Sequence, residues 1–440
     1  MARSPALARL REGGPAIASV FAMSIRAAGA LLTIAVFTLA ARAMSADEFG
    51  RLAVLFNGMS LLAVAAVFGQ DTLIARSWGE YSGRGDHGVA RLAYRFGWRV
   101  TIVSGLIFVL GVFLVASLAD VAVAPQALIA ASAFLFAQTL LHYSSHASRV
   151  MVGFVVSEIN REITWRLVLL GVVAWATFHR HLTESQFFFA TVVGMACSIG
   201  FQSIVLRRKL AEDQTVDAVA DTPTWFLRAR SMWLSAIVEA TGQYADVMLI
   251  GYFASPAAAG EYFVAARIAN IFLMVVTGLH TYSMSYSAIL YFSNQVSKLQ
   301  EILRALAVVS LYFLLPPIVI LLIFGQPILS IFGEHYAEAN STLVVLALAS
   351  FIRSLCGPAP GILLTTGHEK LYFRIVILAT AARMILTAAL ASKYGAIGAA
   401  WAWALGNAPL FVGLAFICNA VCGLDPSVAS IFKRAAKREQ

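Results

Sequence analysis

Four arginines, Arg26, Arg267, Arg353 and Arg383, stand well inside stretches of about 20 apolar residues. A charge at the centre of a bilayer costs about 2.5–3.5 kcal/mol on insertion scales, so each needs a partner, a wet cavity or a function. Four guanidinium groups cannot all snorkel to an interface. One reading is a cationic cavity between two lobes, in which the guanidinium forks suit the phosphate oxygens of an anionic headgroup. The other is that each arginine pairs with a neighbouring carboxylate and pins the helix bundle.

Three further groups carry polar chemistry. Glu239, Gln243 and Asp246 lie at i, i+4 and i+7 and so share one helix face. Such a stripe could bind a proton or sodium ion for coupling, or simply neutralise arginines. Gln138, His142, Ser145 and Arg149, with His146 beside them, form a second stripe that reads as a substrate-entry lining or as hydrogen-bonded helix contact. Glu162 and Arg166, at i,i+4, read as an ordinary salt bridge at the cytoplasmic rim. After Arg353 the run CGPAPG, Cys356 to Gly361, removes backbone hydrogen bonds and marks a hinge or cavity wall. Pro316 and Pro317 are expected to kink their helix. Cys197, Cys356, Cys418 and Cys422 all lie in apolar spans with no metal set around them, so neither a disulfide, a metal nor a cofactor is expected.

The elements that position these residues follow from composition. The chain has 440 residues, 60% hydrophobic and 12% charged, with a mean hydropathy of +0.79. A soluble domain carries about 25% charged residues. Twelve spans are expected, at 17–42, 50–75, 96–118, 125–147, 163–179, 185–206, 226–253, 259–290, 302–325, 339–364, 372–393 and 396–420. With the N-terminus in the cytoplasm, the cytoplasmic segments hold eighteen Lys and Arg and the opposite side two, Arg180 and Lys393. That asymmetry places both termini inside and accounts for the net charge of +9 without nucleic acid. The first stretch reads as an uncleaved helix, because Arg26 interrupts it and it runs too long for a signal peptide.

The polar segment 207–224 reads as a cytoplasmic linker between a six-helix lobe at 1–206 and a second at 225–424, followed by a basic tail at 425–440. Local patterns recur: Leu39, Ser45 and Gly50 match Leu249, Ser255 and Gly260, each pair 210 residues apart, and Gly153 matches Gly367 at 214. Six-helix repeats starting on one side of the membrane are an arrangement of secondary transporters. No G-x-x-x-x-G-K-[ST] loop supplies nucleotide hydrolysis.

Three places resemble the polysaccharide-transport branch of the multidrug/oligosaccharidyl-lipid/polysaccharide (MOP) exporter superfamily, which includes O-antigen and exopolysaccharide flippases. They are LAARAMSADEFGRLAV from Leu39, DVMLIGYFASPAAAGEYFVAARI from Asp246, and the run from ILSIFGEHYAEANSTLVVLALA through LLTTGHEK to YGAIGAAWAWALGN, ending at Asn407. The resemblance implies an all-α integral membrane bundle of two six-helix lobes related by pseudo-two-fold symmetry. It implies a flippase in the bacterial inner membrane that moves a polyprenyl-pyrophosphate-linked oligosaccharide to the outer leaflet for lipopolysaccharide or other cell-surface polysaccharide. Polysaccharide polymerase and glycosyltransferases are the partners it implies, beside membrane lipids. The residues do not distinguish a proton, a sodium ion or the membrane potential as the energy source, nor name the glycan.

Two other functions compete. A cation-coupled multidrug exporter of the same superfamily would want an acidic or aromatic cavity, against which the arginines count. A membrane-embedded envelope glycan enzyme would want a large outer loop, and the longest, 325–338, has ordinary connector length.

Overall fold

A computed structural model describes residues 15–118, 123–178, 182–211, 222–271, 287 and 290–431, and every regular element among them is helical. Among the described residues, eight helices are long and apolar enough to cross a membrane. The 54-residue helix Glu369–Cys422 is two helices joined at Gly395, whose φ of 60° breaks the run where the sequence separates the last two spans. Segments 154–178, Thr222–Phe253 and Pro256–Ile271 account for the other expected spans. Most of 272–290, the rest of the eighth predicted span, lies outside the described residues.

The chain forms two compact units, Met1–Met248 and Leu249–Gln440. The first contains α1 (Pro15–Ala43), α2 (Ala46–Val67), α3 (Gln70–Gly83), α4 (His87–Leu118) and α5 (Pro125–Met151). It continues through α6 (Phe154–Ile159), a π-turn (Asn160–Thr164), α7 (Trp165–Phe178), α8 (Glu184–Ala211) and most of α9 (Thr222–Phe253). Its core is a ladder of aromatic rings from four helices. Phe37 meets Phe56 edge-on at 5.2 Å, Phe56 stacks on Phe134 at 5.1 Å, and Phe134 meets Phe188 at 5.3 Å. Offset and edge-to-face pairs of this kind add to what burial alone provides.

The second unit contains α10 (Pro256–Ile271), α11 (Val296–Ser330), a 3-10 turn (Glu334–Ala339), α12 (Asn340–Leu355), α13 (Ala359–Thr365) and α14 (Glu369–Cys422). Leu299, Leu303, Cys356, Ile362, Leu363, Leu414, Cys418 and Cys422 are in its core, so three of the four cysteines serve as small apolar side chains. Outward faces are apolar in both units: Leu106, Leu110 and Leu114 on α4 and Tyr312, Phe313 and Ile323 on α11 are exposed. A bilayer tolerates that arrangement, since lipid tails are as apolar as Leu.

The expected linker 207–224 is helical to residue 211 and again from 222, while 212–221 and the end of the basic tail, 432–440, lie outside the described residues. The compact units divide later, between Met248 and Leu249.

The internal repeat has a structural meaning. Ser45 caps α2 in a capping box, its Oγ accepting from Glu48 N at 3.3 Å while Glu48 Oε2 accepts from Ser45 N at 2.9 Å. Ser255 caps α10 likewise, its Oγ accepting from Ala258 N at 3.1 Å. Gly153 and Gly367 have φ of 136° and 89°, conformations that L side chains rarely adopt, and each lies just ahead of a helix. Alanine at either serine is expected to cost about 1 kcal/mol, with the larger loss at Ser45, where Glu48 also loses its hydroxyl partner at 2.8 Å. Thermal midpoints of the purified variants measure it, and unchanged midpoints would remove the caps from the account.

Candidate functional site

Guanidinium groups from three elements of the first unit converge on one carboxylate. Glu158, on α6, has a side chain with no exposed surface. Arg149, at the C-terminal end of α5, hydrogen-bonds its Oε1 through Nη2. Arg26 of α1 stands 3.6 Å from its Oε2, and Arg161, in the π-turn, 3.7 Å from the same oxygen. Arg161 also donates to Glu162 Oε1 at 3.0 Å, and Arg166 donates to Glu162 Oε2 at 2.9 Å. Four arginines thus face two glutamates, leaving two positive charges in excess.

The local backbone explains how so many charges meet. A π-turn widens the helix by one residue and is frequent at functional sites. Here the carbonyl of Arg161 accepts from Trp165 Nε1 at 2.7 Å, and that of Glu162 from Arg166 Nη1 at 2.5 Å. Arg166 reaches across to α1, donating through Nε to Thr33 Oγ1 at 2.7 Å, and Thr33 in turn donates to the Gly29 carbonyl at 2.8 Å. Gly29 sets the distance between these segments. A methyl group there would lie 3.0 Å from Glu162 Cβ and 3.1 Å from its carbonyl and carboxylate oxygens. A small apolar pocket adjoins Arg166, walled by Thr33, Val36, Phe37, Phe56, Trp165 and Leu169.

Burial falls off outward. Glu158 is fully covered, Glu162 and Arg166 are 16% and 17% exposed, and Arg161, Arg149 and Arg26 are 26%, 29% and 45% exposed. The glutamates therefore form a floor and three arginines an accessible rim.

The α5 stripe divides between the two roles expected for it. Gln138 accepts from Ser60 at 3.2 Å, and Ser145 accepts from Gln202 at 3.2 Å, which are helix contacts. Arg149 joins the cluster, and His142 lies within electrostatic reach of Asp71, Arg161 and Glu162. On α9, Glu239 and Gln243 are exposed while Asp246 is buried, so the stripe of one helix face spans two environments.

The other three mid-span arginines belong to the second unit. Arg267 lies 4.8 Å over the Phe263 ring and Arg353 lies 4.6 Å over the Phe411 ring. Arg383 is buried, its aliphatic stem against Gly406, where an added Cβ would come within 2.7–2.9 Å. Arg353 is exposed and within electrostatic reach of Arg383. The CGPAPG segment does break its helix: α12 ends at Leu355 and α13 begins at Ala359. The freed Leu355 carbonyl accepts from Val428 N at 2.9 Å.

Sequence reasoning singled out Arg26 and Arg149 for different roles, and the structure brings them together on Glu158. It placed Glu162 and Arg166 at the cytoplasmic rim as an ordinary helix pair. They do form that i,i+4 pair, at 2.9 Å, but are largely buried and tied to α1, through Thr33 and the close approach of Gly29. Glu158 and Arg161 were missed as site residues. The available signal was the density of charge in Glu158–Arg166, three charged side chains besides Glu158 itself in nine residues beside an apolar span.

Residues 232–389 match the family described as MatE. The probable flippase AglR of Haloferax volcanii is 26% identical over 242 residues, covering 53% of this chain and 47% of that protein. The chain thus spans about half the length of the curated relative it matches. Among solved structures, an inward-facing multidrug resistance MATE family transporter of the MOP superfamily superposes with a TM-score of 0.72 at 11% identity, over 92% of this chain and 98% of that one. The lipid II flippase MurJ gives 0.68 at 13%, over 89% and 86%. A MOP superfamily transporter from Pyrococcus furiosus gives 0.66 at 14%, over 93% and 96%. The chain has the all-helical fold of these transporters and is a multi-pass membrane protein. Transport is the role that the descriptions of these solved structures give.

Proposed function

We propose that the protein is a flippase that carries a polyprenyl-pyrophosphate-linked oligosaccharide from the cytoplasmic to the outer leaflet by alternating access, in cell-surface polysaccharide biosynthesis such as that of O-antigen or exopolysaccharide. The observation that carries this reading is the surplus of positive charge on the accessible rim of Arg26, Arg149 and Arg161. A phosphate or pyrophosphate presents the oxygens that guanidinium forks bind in pairs. Arg267, Arg353 and Arg383 extend the same preference in the second unit. Glu239, Gln243 and Asp246 are the residues proposed for coupling to a proton, a sodium ion or the membrane potential. Likeness to AglR and MurJ, both flippases by description, supports the reading. The proposed setting is a bacterial inner membrane with both termini cytoplasmic, where glycosyltransferases supply the lipid-linked sugar and a polymerase consumes it.

The test is translocation of a fluorescent lipid-linked oligosaccharide by the protein reconstituted in vesicles. Changing Arg26, Arg267, Arg353 and Arg383 together to alanine is expected to abolish it, and unimpaired transport by that variant would sink the arginine mechanism. A second reading, export of organic cations, is favoured by the likeness to multidrug transporters. The rim's positive field would repel such substrates. Drug resistance in cells overproducing the protein, without lipid-linked sugar transport, would establish that second reading.

A further inference from the structure

We propose that Glu158 is an internal anion that competes with the transported anion for Arg26, Arg149 and Arg161, so that substrate loads by exchange with this carboxylate. The inference rests on the reading of the cluster as an anion site. Its starting point is the coordination of Glu158. The carboxylate is fully buried, yet only Oε1 is hydrogen-bonded. Oε2 has no hydrogen-bond partner and sees two guanidinium groups at 3.6 and 3.7 Å, beyond hydrogen-bond length. Arg149 Nε is likewise buried without a partner.

Three cations from separate elements are thus drawn to one point without being saturated there. Arg26, Arg149 and Arg161 each keep a quarter or more of the side chain accessible, and that is where an external anion would approach. An arriving phosphate meets guanidinium groups already turned toward a negative charge, which favours binding. It also meets the carboxylate behind them, which opposes binding. A carrier needs both, since a site that holds its cargo too tightly does not release it. Glu162 is held differently, by two hydrogen bonds of 2.9 and 3.0 Å from Arg166 and Arg161, and so serves as the fixed counter-ion.

The experiment measures binding of inorganic pyrophosphate to the purified full chain in detergent by calorimetry. Glu158→Gln removes the competing charge at nearly constant shape. It is expected to tighten pyrophosphate binding about tenfold or more, as loss of a like charge a few ångströms away in a partly buried site implies. Glu158→Asp keeps the charge but withdraws it by one methylene, and is expected to lie between wild type and Gln. Affinity of the Gln variant equal to or weaker than wild type would overturn the proposal, as would absence of pyrophosphate binding by any of the three. If the Gln variant does not fold, the Asp variant decides: tighter binding supports the exchange, equal or weaker binding overturns it. Tightened pyrophosphate binding in a protein that moves no lipid-linked sugar would leave the inference standing and remove the proposed cargo. Sugar transport by a wild type whose pyrophosphate affinity is indifferent to residue 158 would do the reverse.

Discussion

Arg149→Ala is expected to cost the folded protein about 3–5 kcal/mol, the loss typical of removing one partner from a buried ion pair. The size follows from what is left behind. Glu158 has no access to solvent, and Arg149 supplies the hydrogen bond to its carboxylate. Arg26 and Arg161 stay at 3.6 and 3.7 Å and soften the loss without replacing the bond. Arg84→Ala, which removes a pair with Glu80 from a side chain 65% exposed, is the contrast and is expected to cost under about 1 kcal/mol. The double variant Arg149→Ala with Glu158→Gln should recover much of the deficit, because the stranded charge goes with the arginine. Denaturation midpoints in detergent read all three. An Arg149 variant no less stable than the Arg84 variant would show that the cluster does not hold the first unit together.

The spans were legible in the sequence because the bilayer imposes a length and an apolarity on every crossing segment, and no tertiary knowledge is needed to apply them. Arg26 was legible for the same reason, as a charge in the wrong solvent. Glu158 was not. It sits beside an apolar run rather than inside it, so hydropathy assigns it to a loop, and only the approach of α1 and α5 turns that loop position into a buried one. The π-turn is equally silent in sequence, since it is set by contacts such as Arg166 on Thr33, 133 residues away. Ser45 and Ser255 lie at the opposite pole: a cap is local, and the 210-residue offset already placed both.

In the second unit the break after Arg353 was legible from two prolines and two glycines, but what stabilises it was not. Gln300 and Asp425 exchange backbone and side-chain hydrogen bonds at 2.8 Å each, fixing the segment after α14 onto α11. That segment then presents Val428 to the open Leu355 carbonyl. A broken helix within a membrane must have its freed groups satisfied, and here the C-terminal segment does it.

Trp225→Ala is the other change expected to be severe, at about 3–5 kcal/mol, the range for truncating a large core side chain. Trp225 is among the largest side chains that are fully buried. It packs with Leu73, Ala93 and Ala229, lies 5.5 Å from the Phe96 ring, and donates through Nε1 to the Tyr81 hydroxyl at 2.9 Å. Two neighbours on α9 make the same connection, Arg228 to Glu80 at 3.1 Å and Trp233 Nε1 to the Ala65 carbonyl at 2.7 Å. These contacts are why the helix that follows the polar segment 207–224 belongs for most of its length with the unit before it. Trp225→Phe retains most of the volume and forfeits the hydrogen bond, for which about 1 kcal/mol is expected. The thermal midpoint should therefore fall in the order wild type, Phe, Ala. If alanine costs no more than phenylalanine, the cavity left by the indole carries no penalty, and the first half of α9 is not part of the core of the first unit.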